Sequence, residues 1–496
     1  MYLGIDLGTT DVKLLLLSPA HEVVAVEHAP LAISRPSPGW CEQSPADWWA
    51  ATEAAVGRLR QRAPKAWAAV KAIGLSGQMH GAVLLDAQRQ VLRPAMLWND
   101  GRSAAQCAQL MRDHPEAVAL AGNLAMPGFT APKLVWLQAH EPAVHARVAK
   151  VLLPKDYLRL QLTGRCATDP SDAAGTWWLD VGRRDWSPAL LAATGMRIDQ
   201  MPDLVEGSAA SGTLLPALAR AWGLDEAVVV AGGGGDNAAS AVGIGATSPG
   251  EGFVSLGTSG VMFVTTETFR PNPGSAVHAF CHAVPGRWHQ MTVMLSAASC
   301  LRWLSGLLGA SEAELVARVA AQGASAEADA PLFLPYLGGE RTPYNDPDLR
   351  GMFFGLAHDS DATALTSAVL EGVAFGMRDG LLALNAAGTA PRRLALVGGG
   401  ARSAEWAQLH ADVLDIELAV LDGSAHGAAL GAARLGWLAV GGSPGVVCPP
   451  PPVLALYTPD PARHQRLMLR YLRWRQLFAA VRDLHPRGQA LQLRTD

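Results

Sequence analysis

An α/β fold built from two related halves is what this 496-residue sequence predicts, and three observations predict it. Short apolar runs alternate with amphipathic stretches, and a glycine turn marks each change, which is the pattern of strands and helices packed in layers. Residues 3–15, LGIDLGTTDVKLL, are echoed by residues 252–264, GFVSLGTSGVMFV. The length also exceeds what one hydrophobic core supports, so two domains or more are expected.

The echo is the most informative of the three. Aligned, Gly8-Thr9-Thr10 falls on Gly257-Thr258-Ser259, with an apolar run on both sides of each turn. Each copy reads as a β-hairpin whose tip exposes backbone N–H groups and hydroxyls. Two such hairpins suggest duplicated domains facing one another, with a boundary in the glycine-rich stretch 243–252. The halves are then 1–245 and 246–484.

Along the chain, residues 70–75, 227–231 and 394–397 read as buried strands. Residues 104–112, 237–244, 362–382 and 404–414 read as helices. The proline run 448–452 interrupts the fold locally, and 461–484 reads as a helix rich in Arg and Leu. Residues 485–496 have no periodicity and are expected to be a flexible tail.

Bulk properties exclude several classes. The composition is 49% hydrophobic and 17% charged, enough for large cores and unlike a disordered chain. Net charge is −4 with the arginines scattered, so no electrostatic footprint for nucleic acid is present. The six cysteines are dispersed without CxxC spacing, as expected of buried thiols in a reducing compartment. Asp6 stands where a signal peptide needs an apolar run, and no uncharged apolar stretch reaches membrane-helix length. A cytoplasmic protein with no membrane partner is expected.

Neither a GxxxxGK[ST] loop nor a GxGxxG opening a helix is present, so the hairpins and two acidic positions carry the chemistry. Asp6 ends the first strand beside its glycine turn. A carboxylate next to a phosphate-cradling turn suggests Mg²⁺ between them, although an isolated DxGT is more often an Asp capping its own turn. Asp236 follows Gly232-Gly233-Gly234-Gly235 at a helix start, where the helix dipole favours its ionised form. There it could accept a proton from a sugar hydroxyl attacking phosphorus, or it could be an ordinary N-cap. The four glycines read as room for substrate to approach the backbone. Gly398-Gly399-Gly400-Ala401 could take a purine against a helix start, or be a plain tight turn. Gln78 and His80 after a buried strand, and the segment Trp98-Asn99-Asp100-Gly101-Arg102, offer the mixture of aromatic face and polar groups that a polyol needs. Trp177-Trp178 near Asp169 and Asp172 could add to it or be core.

These pieces in this order resemble the FGGY family of carbohydrate kinases, within the actin-like, ribonuclease H-like ATPase superfamily. The resemblance runs through Gly4–Thr10, Gly128–Trp136, Gly232–Asp236, Gly257–Ser259, Gly338–Tyr344 with Arg350-Gly351, and Gly398–Ser403. It implies two duplicated domains, each a mixed central sheet flanked by helices, with a cleft between, and sugar phosphorylation by ATP with Mg²⁺. Within the family, Ser76–Gly81, Leu97–Arg102 and Leu153–Tyr157 resemble the substrate-side motifs of members acting on D-xylulose at its C5 hydroxyl. The resemblance implies Met79, His80, Trp98, Asn99 and Asn237 at the sugar, Asp236 as catalytic base, and Asp6 with Asp236 at the metal. Gly8, Thr9, Thr10, Gly257, Thr258 and Ser259 then belong to the phosphate loops, with Lys13 adding charge, and Gly399, Gly400 and Ala401 to the adenosine loop. Dimers are common in the family, so a homodimer is one expected assembly. Two departures stand out: Asp11 where a small residue is usual, which bears on the first loop's geometry, and Ala139 where a polar residue is usual. Kinases of ribulose, glycerol or gluconate would share this machinery. An actin- or chaperone-like ATPase switch would share the hairpins but leave the Gln78–His80 cluster without a purpose.

Overall fold

The computed structural model describes residues 1–323, 330–423 and 426–484; the expected tail, 485–496, lies outside them. Two seven-stranded mixed sheets form the centres of the two halves. In the first, the hairpin Tyr2–Leu7/Asp11–Leu17 is central. Val23–Pro30 adds antiparallel on one side, while Ala72–Gly77 and then Val229–Ala231 run parallel on the other. In the second, the hairpin Gly252–Leu256/Gly260–Thr266 has Trp288–Met294 antiparallel on one side and Arg393–Val397, then Glu417–Leu421, parallel on the other. The two sheets thus share one strand order around their hairpins, and the sequence echo marks a repeated topology.

The hairpins differ by one residue at the tip. The first pairs Leu7 with Val12 and Asp6 with Lys13, leaving residues 8–11 as the tip. The second pairs Leu256 with Gly260 and Ser255 with Val261, leaving residues 257–259. Asp11 is left out of the hairpin pairing where its counterpart Gly260 pairs with Leu256, and its carboxylate is tied to His28 Nδ1 at 2.8 Å on the neighbouring strand. This one-position shift of register sets Lys13 directly opposite Asp6, where the second hairpin sets Val261, the counterpart of Val12, opposite Ser255.

The strands read as near-continuous apolar runs because both faces of each sheet are covered. Leu3, Ile5 and Leu7 pack with Val12, Leu14 and Trp48 in one core, while Tyr2, Leu15 and Ala72 face Ala429 and Ala433 of the helix Gly427–Leu438. That helix lies in backbone contact with the first sheet. A Cβ on Gly4 would sit 2.0 Å from the Ala429 carbonyl oxygen, and one on Gly74 would sit 1.7 Å from that of Ala432. It also packs on the helix Asp236–Gly243, where a Cβ on Gly431 would be 1.7 Å from the Ala239 oxygen. A helix from the late part of the chain is therefore keyed to the first sheet by residues too small to hold it off.

The expected helices are found as Ala104–Asp113, Asp236–Gly243, Ala362–Ala386, Ala404–Leu414 and Pro461–Val481. The last two are capped by Ser403 and Asp460, whose side chains accept from the first-turn N–H groups. All six cysteines are thiols, five buried and Cys166 half-buried. Among the described residues no helix is long and apolar enough to cross a membrane.

Candidate active site

The strands of both glycine-turn hairpins line one cleft. Its cavity, about 330 Å³, is lined by Asp6, Lys13, Asn237 and Ser240 on one side and by Phe253, Ser255, Val397 and Gly398 on the other. Gly427 and Ala428, opening the helix that bridges the halves, complete the lining.

Asp6 ends its strand in register with Lys13 on one neighbour and Ser76 on the other. Its Oδ1 is buried without a hydrogen-bond partner. Burial pushes its carboxyl up to about 6, with the charge of Lys13 and the Ser76 hydroxyl pulling the other way. Asp236 arrives from the opposite direction. Gly234–Gly235 pairs parallel with Ser76–Gly77, and Asp236 is the next residue, the first of its helix. Its Oδ1 accepts from the Asn237 backbone N–H at 2.7 Å and the Asn237 side-chain amide at 2.9 Å. Burial, then the nearby charge of Asp6, raise its carboxyl to about 6 as well. Two carboxylates far apart in sequence are thus brought near enough for the charge of Asp6 to act on Asp236.

Their donor set suits Mg²⁺. Asp6 has an unpartnered buried oxygen, its charge acts on Asp236, and a hard cation would relieve that repulsion. Among the described residues no group of three His, Cys, Asp or Glu could hold a metal alone. A cation there would complete its shell with phosphate and water, as Mg²⁺ commonly does.

The glycines before Asp236 do not leave room for substrate, contrary to the expectation. A Cβ at Gly232 would meet the Glu206 oxygen at 2.2 Å, one at Gly233 the Leu75 oxygen at 2.4 Å, and one at Gly235 the Met79 sulfur at 2.8 Å. The close approach is protein on protein, and it fixes where Asp236 begins its helix. A wholly buried ionic cluster braces the same strand. Lys155 Nζ lies 2.7 Å from Asp156, 2.9 Å from Asp169 and 3.0 Å from Asp172. Arg159 donates to the Ala231 and Gly232 carbonyls, and Ser171 Oγ accepts from Gly235 N–H at 3.1 Å. Lys155 and Asp156, expected on the substrate side, are buried supports instead.

The sugar-side residues separate into two groups. Met79 is buried against Gly235. His80 holds a left-handed backbone (φ 71°), and its Nδ1 lies 2.7 Å from the Gly175 carbonyl. A carbonyl only accepts, so Nδ1 carries the proton and Nε2 presents a lone pair. Burial drives the His80 ring down to about 3, with the charges of Lys133 and Arg341 adding to the effect, so it is neutral at physiological pH. Gln78, expected at the polyol, turns away to the first hairpin tip. It accepts from Thr9 Oγ1 at 3.2 Å and donates to Gln43 at 3.0 Å, while Gln43 donates to the Thr9 carbonyl at 2.8 Å. Trp98 braces the same hydroxyl from outside, with its indole N–H 3.0 Å from Thr9 Oγ1. Asn99 is exposed beside it. Asp100 and Arg102 pair with each other at 2.6 Å, and the Arg102 guanidinium stacks on Trp40, 3.7 Å from its centroid, which makes them structural. Trp177 and Trp178 are core.

The second tip is held by different means. The Thr258 carbonyl accepts from Ala297 N–H at 2.9 Å and Ser299 Oγ at 2.8 Å, and the Gly257 carbonyl from Ala298 N–H at 2.9 Å, just where the helix Ala298–Leu308 starts. Ser259 and the exposed Thr10 complete the two tips. Gly399, Gly400 and Ala401 form a 3₁₀ turn after Gly398, which adopts φ 91°.

Two contributors carried no signal singled out in the sequence. The helix Gly427–Leu438 is visible there only as its small residues, GAALGAARLG, and Lys133 only as one motif position. Lys133 is wholly buried and donates to the His80 and Gly128 carbonyls, which fixes the His80 backbone.

Comparison with known proteins agrees with this arrangement. The chain matches the N-terminal domain of the FGGY family of carbohydrate kinases over residues 1–243 and the C-terminal domain over residues 252–440. It is 50% identical over 486 residues to the xylulose kinase of Escherichia coli (strain K12), covering 98% of this chain and 100% of that one. It is 51% identical to the xylulose kinase of Klebsiella pneumoniae, covering 97% and 98%. A crystal structure described as a "xyloylose kinase" from Brucella ovis superposes with a TM-score of 0.94 at 52% identity, covering 97% of this chain and 99% of that one. With the repeated sheets, the paired hairpin tips and matches over most of both halves, the chain belongs to the FGGY family of carbohydrate kinases.

Proposed function

We propose that this protein transfers the γ-phosphoryl group of ATP to the C5 hydroxyl of D-xylulose, giving D-xylulose 5-phosphate and ADP. The observation that carries the reading is a cleft lined by Asp6 and Asn237 and walled by strands of both hairpins, with Asp236, next to Asn237, within reach of the charge of Asp6. The roughly 50% identity to xylulose kinases over nearly the whole chain supports the sugar. We assign the sugar site and first phosphate loop to residues 1–245, and the second phosphate loop and adenosine site to residues 246–484.

The phosphates lie between Gly8-Thr9-Thr10 and Gly257-Thr258-Ser259, with Lys13 lending charge and the adenosine against Gly399, Gly400 and Ala401. The sugar lies against Met79, His80, Trp98 and Asn99, its C5 end toward Asp236 and Asn237. His80 Nε2 accepts from a sugar hydroxyl. Asn237 holds Oδ1 of Asp236, which leaves Oδ2 to take the C5 hydroxyl proton as that oxygen bonds to the γ-phosphorus. The bond from phosphorus to the β–γ bridging oxygen breaks, and ADP leaves. An orienting carboxylate suffices, because a loose phosphoryl-transfer transition state asks more for alignment than for a strong base. Mg²⁺, when held by Asp6 and Asp236 with phosphate oxygens, supplies charge neutralisation.

The test is ADP release with Mg-ATP across D-xylulose, L-xylulose, D-ribulose, L-ribulose, glycerol and gluconate, with a sugar-free blank. D-xylulose is expected to exceed every other acceptor. Preference for another polyol refutes the substrate, and release indifferent to all of them refutes sugar phosphorylation.

A further inference from the structure

The segment 338–344 stands out in the sequence, yet the reaction above gives it no task. It carries Arg341, which comes from the second half of the chain but lines a cavity of about 580 Å³ with Trp98 and Asn99 from the first. We propose that Arg341 is a specificity-determining residue that donates to the C2 carbonyl oxygen of the sugar, so that the site selects a ketose over the corresponding pentitol. The inference deepens the reading of the acceptor as D-xylulose and rests on it.

The chemistry of the acceptor demands such a donor. Closing a 2-ketopentose into its furanose consumes the C5 hydroxyl, so an enzyme that phosphorylates that oxygen must bind the open chain. The open chain displays a C2 carbonyl, which can only accept a hydrogen bond. A site that reads it is best served by a charged donor without an ion pair of its own, and the other charged or ring donors nearby are already engaged. The Nδ1–H of His80 is spent on Gly175 and its Nε2 is a lone pair. Lys133 donates to two backbone carbonyls, the Trp98 indole to Thr9, and the Asn237 amide to Asp236. Arg102 is paired with Asp100 and Glu42.

Arg341 differs. Among the described residues no carboxylate lies within ion-pair distance of its guanidinium. Its one side-chain hydrogen-bond partner among the described residues is a lone pair: Nη1 lies 3.5 Å from His278 Nε2. The His278 Nδ1 faces Asn123 Oδ1 at 3.0 Å, and that oxygen also takes the Ala279 N–H, so it acts as acceptor and Nδ1 carries the proton. His278 Nε2 is therefore free to orient the guanidinium without neutralising it. The neighbouring Glu340 does not neutralise it either. Its Oε1 accepts from the backbone N–H groups of Leu295 at 3.0 Å and Arg341 at 2.7 Å, and burial raises its carboxyl to about 8, which keeps it protonated at neutral pH. Arg341 reaches His278, and the rings of His278 and His80 both pack on Phe129 with centroids 5.7 and 4.8 Å away, so guanidinium and imidazole lie around one aromatic floor. One supplies donors and the other an acceptor, as a chain bearing both a carbonyl and hydroxyls requires.

The experiment compares kcat/KM for D-xylulose with that for xylitol and D-arabinitol, which carry a C2 hydroxyl in place of the carbonyl. It uses the wild type, Arg341→Met and Arg341→Lys, and the KM for ATP serves as a check on folding. Loss of one charge-assisted hydrogen bond is expected to lower kcat/KM for D-xylulose by roughly 10- to 100-fold in Arg341→Met. Turnover of the pentitols should change little, so the ketose-to-pentitol ratio collapses, and Arg341→Lys should restore part of it. Normal wild-type turnover of D-xylulose with an unchanged ratio in both variants, or a parallel fall for all three acceptors, overturns the inference alone. A wild type that does not use D-xylulose overturns the substrate reading and this inference with it.

Discussion

Replacing Asp6 by Asn is expected to stabilise the protein while removing most of its activity. Asp6 and Asp236 share a partly buried cleft, and each carboxyl is raised from 3.8 to about 6. Between roughly pH 4 and pH 6 the folded chain keeps protons that the unfolded chain has lost, so stability falls as pH rises through that window and stays reduced above it. The Asp6 shift already includes the attraction of Lys13, so it measures the net penalty. A shift of two units corresponds to about 3 kcal/mol as a ceiling. Solvent at the cleft mouth reduces it to about 1–2 kcal/mol. For a domain of this size that is a melting point higher by roughly 2–8 °C. Differential scanning fluorimetry of Asp6→Asn and wild type from pH 5 to pH 8, without nucleotide or metal, reads the effect. The gain should be largest at pH 8 and should shrink toward pH 5. A variant no more stable than wild type at pH 8, or a gain independent of pH, would refute the inferred cost of burying the Asp6 charge. Added Mg²⁺ should raise the melting point of the wild type more than that of the variant, because the variant lacks the charge the cation relieves.

Three further outcomes are expected. Asp236→Asn should lower kcat by roughly 10³-fold or more, with the KM for sugar within a few-fold of wild type, since it removes a proton acceptor but keeps the shape; steady-state kinetics with undiminished kcat would exclude Asp236 as the base. Gln78→Leu should raise the KM for ATP far more than that for sugar and cost about 1–3 kcal/mol, because Gln78 satisfies the Thr9 hydroxyl and the Gln43 amide; a selective rise in sugar KM would return Gln78 to the polyol site. Gly233→Ala should yield little folded protein, as it combines φ 77° with a Cβ only 2.4 Å from the Leu75 oxygen; wild-type yield and melting point would show that the backbone can shift at no cost.

Much of the fold was legible locally. The two Gly-Thr turns between apolar runs gave both hairpins, because turn chemistry and side-chain alternation act between neighbours in sequence. The helix 404–414 was located to the residue, since Ser403 is a cap whose bonds lie within one turn. The sites of Asp6 and Asp236 were legible as strand end and helix start. Their partners were not. Gln78 looked like a sugar ligand because its sequence neighbours are polar, whereas its bonds run to Gln43 and Thr9, distant in the chain. Lys155 and Asp156 belonged to a motif expected on the substrate side, and only Asp169 and Asp172 closing over Lys155 show the pair as a buried support.

By itself, then, the sequence determined the repeated sheet, the two tips and the chemical groups at the ends of the strands. Only the tertiary structure decided that the charge of Asp6 reaches Asp236, that the glycines of 232–235 are filled by protein, and that a late helix lies on the first sheet at Gly4 and Gly74. The physical reason is range. Turns, caps and alternation are fixed by groups a few residues apart, whereas a raised carboxyl, an orphaned buried oxygen or a filled glycine depends on which distant segment excludes water there.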